Sequence, residues 1–157
     1  MPQFRYVTLD VFTDRMFGGN QLAVFPDATG IPEDALLAIA REFNYSETTF
    51  CYPASDPAHA ARVRIFTPGA EVPFAGHPTV GTAIVLQAER PAAGTTLVLE
   101  EGVGPVSVRV RPGSPAFAQF SVAKLPEVGS PVPTRSRLAE ILSLTADDVL
   151  GGSTSPQ

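Results

Sequence analysis

The chain has 157 residues, of which 44% are hydrophobic and 17% charged, and a formal net charge of -5. An acidic chain without a Lys/Arg cluster suits neither nucleic acid nor an anionic membrane surface, so neither partner is expected. No apolar run approaches the ~18 residues that span a bilayer. "MPQFRYVTLD" has no hydrophobic signal core, and a lone cysteine, Cys51, asks for no oxidising compartment, so the expected location is cytoplasmic.

In chain order, "FRYVTLDVF" reads as a strand from Phe4 to Phe12, with Val7, Leu9 and Val11 on one face. A turn-rich loop through Gly18, Gly19 and Asn20 leads into a short buried strand, Gln21 to Phe25. In "PEDALLAIAREF", Leu36, Ile39, Ala40 and Phe43 fall at helical spacing, with acidic residues in the first turn and Asn44 as a left-handed stop. No side-chain N-cap is evident there. A strand begins near Thr48, and "ARVRIFTP" alternates with Val63 and Ile65 inward and Arg62 and Arg64 outward. Pro78 suits a first helical position, which puts His77 at or near the N-cap of a mostly apolar, buried helix. Strands at "TTLVLEE", "GPVSVRVRP" and "PAFAQFSV" follow at hairpin spacing. The Pro-rich stretch Ala123 to Thr134 reads as a linker, "SRLAEILSL" as a short helix, and Thr145 with Asp148 as the start of another. The expected organisation is an N-terminal α+β domain over residues 1–130, then a linker and the start of a second unit over 131–157. The first is expected as a curved, mostly antiparallel sheet wrapped around the helix of "HPTVGTAIVL".

Several candidate sites fall to simple chemistry. Gly76 and Gly81 have P-loop spacing but lack the lysine that follows in that motif. His59 and His77 are remote from each other, and one cysteine makes no ligand cluster, so no metal is expected. Cys51, between Phe50 and Tyr52, reads as a buried filler. Acid/base chemistry remains. Glu47 sits at a helix-to-strand junction, where it is either a proton-transfer group or a solvated loop residue. His77 is either a capping residue or part of an anion-facing helix start. Asn20 and Ser46 read as turn or cap residues, and Asp10 within an apolar strand requires a partner if buried.

"LDVFT", "GGNQLAVF", "IAREFNYSETTF", "RIFTP" and "EVPFAGHPTVGTA" occur in that order. This ensemble resembles the PhzF-like, phenazine-biosynthesis-type isomerases, well over residues 4–90 and loosely to about 150. The resemblance implies a diaminopimelate epimerase-like fold, in which two similar α+β domains enclose a cleft. It implies a homodimer and no cofactor or metal. Its best-understood member isomerises trans-2,3-dihydro-3-hydroxyanthranilate. The resemblance makes Glu47 of "SETTF" the catalytic carboxylate. It makes His77 of the "GHP" motif substrate-binding and puts Asn20 of the "GN" motif at the cleft; the helix start at Gly76, His77 and Thr79 is expected to bind the substrate's carboxylate. A glycine and a histidine stand where related epimerases place a cysteine, which speaks against a two-cysteine racemase. The second-domain G-D-P-x-T-G-S-like motif of the family is absent from this sequence.

Two expectations follow. One is an isomerase in which Glu47 removes a proton from a small carboxylate-bearing substrate and returns it elsewhere on the same molecule. Phe50, Phe74 and the Pro73 turn are expected as apolar walls of its cleft. The other is a catalytically incomplete single-domain module that pairs with itself or with a complementary domain, its catalytic residues exposed to water.

Overall fold

The computed structural model describes residues 2–91, 94–122 and 133–149. The chain divides between Ala123 and Lys124 into two compact units. The expected boundary at residue 130 lies outside the described residues, as does most of the Pro-rich linker.

The larger unit is one curled, mixed sheet. Its strands are β1 (Val7–Val11), β2 (Asn20–Phe25), β3 (Glu47–Tyr52), β4 (Ala61–Phe66), β5 (Glu71–Val72), β6 (Thr96–Glu101), β7 (Gly104–Arg111) and β8 (Phe117–Phe120), in the order β1-β2-β3-β4-β6-β7-β8, with β5 also on β4. Most neighbours are antiparallel, as the hairpin spacing predicts. The β2–β3 and β4–β6 pairs are parallel. In each parallel pair a helix lies between the two strands in sequence, and such a crossover returns the chain in the same direction. Helix α1 (Leu36–Phe43), preceded by a 3-10 turn at Glu33–Ala35, separates β2 from β3, and α2 (Gly76–Glu89) separates β4 from β6. Asn44 ends α1 at φ 53° as predicted, and its N–H donates to the Ala40 carbonyl.

The alternation along β3 sorts two cores. Cys51 joins Leu22, Val24, Val63, Ile65, Leu86, Leu99 and Val108 around α2. Phe50 joins Phe25, Leu36, Ala40 and Phe66 under α1. There Phe25 stacks on Phe50 with centroids 5.0 Å apart, and Phe66 meets Phe50 edge-on at 5.5 Å. Helix α2 packs against β1, β2, β3, β6, β7 and β8, so it is the axis around which the sheet curls. Thr82 and Thr49 are both fully buried, and their hydroxyls join at 2.9 Å to tie the helix to β3.

Gly81 permits the closest approach of α2 to the sheet. A Cβ there would stand 2.6 Å from Leu22 Cδ2 and 2.9 Å from Val11 Cγ2. Both neighbours are buried core side chains with little room to give. Gly81→Ala would gain about 1 kcal/mol of helix propensity against an overpacking cost of about 1–3 kcal/mol. The packing term is expected to win, lowering the urea midpoint with m unchanged. A raised midpoint would show that the helix can shift.

In the smaller unit, α3 (Arg135–Leu142) begins at Thr134, whose hydroxyl accepts from the Arg137 N–H, and ends at Ser143 with φ 58°. The expected helix start at Thr145 is a turn. Its N–H and hydroxyl both donate to Asp148 Oδ2, at 2.9 and 2.7 Å.

Candidate active site

The N-terminus of α2 and the facing ends of β2 and β3 form a polar cluster. Parallel pairing sets Leu22 beside Glu47, so the start of β3 lies alongside the start of β2. Asn20 is held there by a close crossing just before it: a Cβ on Gly19 would fall 2.3 Å from the Val11 carbonyl oxygen. The loop between β1 and β2 is anchored by the Phe17 N–H, which donates to Asp10 Oδ2 at 2.9 Å, the partner Asp10 requires.

Against this edge stands His77. Its Nδ1 is 3.2 Å from Asn20 Nδ2, and its Nε2 lies 3.4 Å from the Gln21 carbonyl oxygen. Glu47 Oε2 is closer to Nε2, at 3.2 Å, but the in-plane direction of that nitrogen favours the carbonyl. Among the described residues, Glu47 Oε2 is therefore buried without a hydrogen bond. Ser46 Oγ donates to Asn20 Oδ1 at 2.8 Å. The Phe12 ring stands edge-on to the imidazole with centroids 6.5 Å apart. His77 is 7% exposed and the Glu47 side chain 17%. The expectation that half a cleft leaves these residues open to water is thus corrected: this unit alone already shelters them.

The structure brings Glu47, His77 and Asn20 together, with Gly76 one residue from the histidine. It turns Thr79 elsewhere. Thr79 is fully buried, and its hydroxyl lies 2.8 Å from both the Ala75 carbonyl and Glu101 Oε1. Helix α2 begins at Gly76 with Ala75 as N-cap and no side-chain cap bond, so His77 occupies the second helical position and not the cap. Pro78 lies third, which the helix tolerates because none of its first four N–H groups has an intrahelical acceptor. The expected wall at Phe50 is also corrected. Side chains alternate along β3, so Phe50 lies on the α1 face, opposite to Glu47. Phe74 packs edge-on against Phe120 at 5.4 Å.

Two further carboxyls were not singled out by the sequence. Glu101 is 8% exposed, and its Oε2 is buried without a hydrogen-bond partner. The Thr79 hydroxyl has one proton for two contacts, and the Ala75 carbonyl can only accept. Both contacts are hydrogen bonds only if the Glu101 carboxyl is neutral and donates to Thr79. Burial acts in the same sense and pushes this carboxyl up to about 7, against a smaller opposing effect of the Thr79 bond. Glu100, on the other face of β6, accepts from the Ser55 and Asp56 N–H groups and meets His59 Nδ1, each at 2.9 Å. The backbone donors of Asp56 and Ser55, then His59, hold its carboxyl down at about 2. His59 is thereby part of a loop anchor. Cys51 is fully buried, and burial pushes its thiol up to about 12, as befits a filler. Among the described residues, no three or more His, Cys, Asp or Glu side chains are grouped to hold a metal ion, and no helix is long and apolar enough to cross a membrane.

A profile of the PhzC-PhzF family, described as phenazine biosynthesis-like protein, matches residues 9–156. An uncharacterized isomerase of Mesorhizobium japonicum is 52% identical over 129 residues, which are 81% of this chain and 43% of the relative. A trans-2,3-dihydro-3-hydroxyanthranilate isomerase of Pseudomonas aeruginosa is 36% identical over 97% of this chain and 51% of its own length. Among solved structures, a PhzF-family phenazine biosynthesis protein of Bacillus anthracis aligns with TM-score 0.80 at 26% identity, over 94% of this chain and 50% of the other. A predicted epimerase of P. aeruginosa aligns with TM-score 0.76 at 37% identity, over 95% and 54%. The chain thus spans about half the length, or less, of the curated relatives named here.

Proposed function

Because the chain belongs to the PhzC-PhzF family of phenazine biosynthesis-like proteins, we propose that it supplies the proton-transfer half of a cofactor-independent isomerase. Glu47 is the acid/base residue. It removes a proton from an activated carbon of a small carboxylate-bearing substrate and returns it at another carbon. The backbone N–H groups at the start of α2, beginning with Gly76, receive the carboxylate, and His77, whose Nε2 is held only at 3.4 Å from the Gln21 carbonyl, turns its ring N–H to it. Asn20 belongs to the same cluster. The substrate class follows the P. aeruginosa relative, named for trans-2,3-dihydro-3-hydroxyanthranilate.

One observation carries the reading: Glu47 Oε2 is buried, without a hydrogen bond among the described residues, and 3.2 Å from His77 Nε2. A carboxylate oxygen without a partner does not by itself mark chemistry, since Glu101 Oε2 has none among the described residues either. One left open next to a ring donor is placed to exchange a proton. The relatives' greater length supports a second element of the reading. A complementary half, from a longer form, a second copy or a separate polypeptide, closes the cleft over these residues. We expect the 157-residue chain alone to turn over trans-2,3-dihydro-3-hydroxyanthranilate weakly or not at all. Adding the C-terminal half of the P. aeruginosa isomerase should restore turnover. Absence of turnover in a demonstrated complex of the two halves would overturn the assignment.

A further inference from the structure

The partners of His77 decide where its ring proton sits. Nε2 faces the Gln21 carbonyl at 3.4 Å, and a carbonyl oxygen only accepts, so Nε2 carries the proton. In the neutral ring Nδ1 must then accept, and the group within reach is the Asn20 amide nitrogen at 3.2 Å. That commits the other end of the amide, Oδ1, to Ser46, whose hydroxyl donates to it at 2.8 Å. The hydrogen bonds run in one direction: Ser46 to Asn20, Asn20 to His77, His77 to the β2 backbone. The Nδ1–H tautomer would set a ring N–H against the amide N–H₂. It would also turn the bare Nε2 lone pair toward two acceptors, the Gln21 carbonyl and Glu47 Oε2. Turning the amide over repairs the first conflict and leaves the second.

We propose that Ser46 and Asn20 are positioning residues that hold His77 in the Nε2–H tautomer, with that N–H kept beside Glu47. Each end of the Asn20 amide makes one bond inside the protein, which ties its orientation to that of His77. The means lies in the fold: Asn20 opens β2, Ser46 immediately precedes β3, and the parallel pairing of those strands sets the two side by side. The Gln21 carbonyl and Glu47 select the tautomer at Nε2, and the Asn20 amide, held by Ser46, reinforces it at Nδ1, as a partner on one imidazole nitrogen sets the state of the other. Only the catalytic consequence rests on the function proposed above; the tautomer itself does not.

The test is a long-range ¹H–¹⁵N spectrum of the histidine-labelled chain, recorded where the imidazoles are neutral. There are two histidines, and His59→Gln assigns them. We expect His77 to show a bare Nδ1 and a protonated Nε2. Ser46→Ala and Asn20→Ala should each weaken the bias and admit a detectable Nδ1–H fraction, and Ser46→Thr should retain the single tautomer. A wild-type Nδ1–H signal, or an unchanged tautomer in folded Ser46→Ala or Asn20→Ala, would overturn the proposal. If Asn20→Ala does not fold, the wild-type spectrum and the Ser46 pair decide. In an active assembled form, Ser46→Ala should lower kcat/KM by roughly tenfold or more, with KM rising because His77 receives the substrate carboxylate. Should the tautomer be as expected while no assembled form turns over, the isomerase reading fails and the positioning role stands.

Discussion

Replacing Glu47 with glutamine is expected to lower kcat in the closed, two-halved form by about 10²–10⁴-fold, the range over which a positioned acid or base contributes. The fold should survive. Glutamine is isosteric, and the oxygen it alters makes no hydrogen bond in the structure. Binding should survive as well, because the carboxylate-receiving groups lie on α2 and not on β3. The expected signature is therefore a fall in kcat with KM and thermal midpoint nearly unchanged. Retained turnover in a folded Glu47→Gln protein would remove Glu47 from the chemistry. Collapse of the fold would point instead to a structural carboxylate.

The second large effect is on stability and comes from Glu101. Its carboxyl is raised in the folded state to about 7 from an ordinary 4.5. Between those values the folded chain keeps a proton that the unfolded chain has lost, so ν_N exceeds ν_U and stability falls as pH rises. Below 4.5 both states are protonated and the group is neutral to stability; above about 7 the full cost is present. That cost is at most about 3 kcal/mol. Glu101→Gln mimics the neutral acid: its amide can donate to Thr79 while Thr79 donates to the Ala75 carbonyl. It should be more stable than wild type at pH 8 by up to that amount and should lack the decline through the weakly acidic range. Denaturant melts of both proteins at several pH values measure this, and parallel profiles would show that Glu101 is ionised when folded. Glu100 does not confuse the comparison. Its carboxyl is lowered, so its contribution is present above 4.5 and lost as pH falls through about 2, a separate window.

Most of the fold was legible because its periodicities are strong. The alternation of Val63 and Ile65 with two arginines fixes the inward face of β4, and Asn44 marks the end of α1 by a conformation that few residues accept. The parallel pairs were not legible, because spacing alone reads neighbouring strands as hairpins and does not show that α1 and α2 carry the chain across the sheet. The start of α2 was misplaced for a related reason: proline is compatible with any position of a first turn, so Pro78 does not mark the first residue. At the site, Glu47, His77 and Asn20 were singled out through the family's motifs and meet in space. Thr79 was selected with them by adjacency in sequence, yet two residues along a helix point about 200° apart, which turns it to Glu101. Phe50 failed by the strand's own alternation, a signal present in the sequence. Ser46 and Glu101 carried no such signal. A serine before a strand and a glutamate near a hairpin are ordinary, and only the parallel pairing of β2 with β3 and the packing of α2 against β6 give them partners.

The central claim is that one half-buried carboxylate, Glu47, carries the proton. Its most direct test is turnover of trans-2,3-dihydro-3-hydroxyanthranilate by the complemented protein in D₂O, with product read by NMR. Wild type should place deuterium at the newly protonated carbon, with less than full labelling where Glu47 returns the substrate's own proton before exchange. Glu47→Gln should give neither product nor labelled substrate. Deuterium incorporation by folded Glu47→Gln at the wild-type rate would contradict the account.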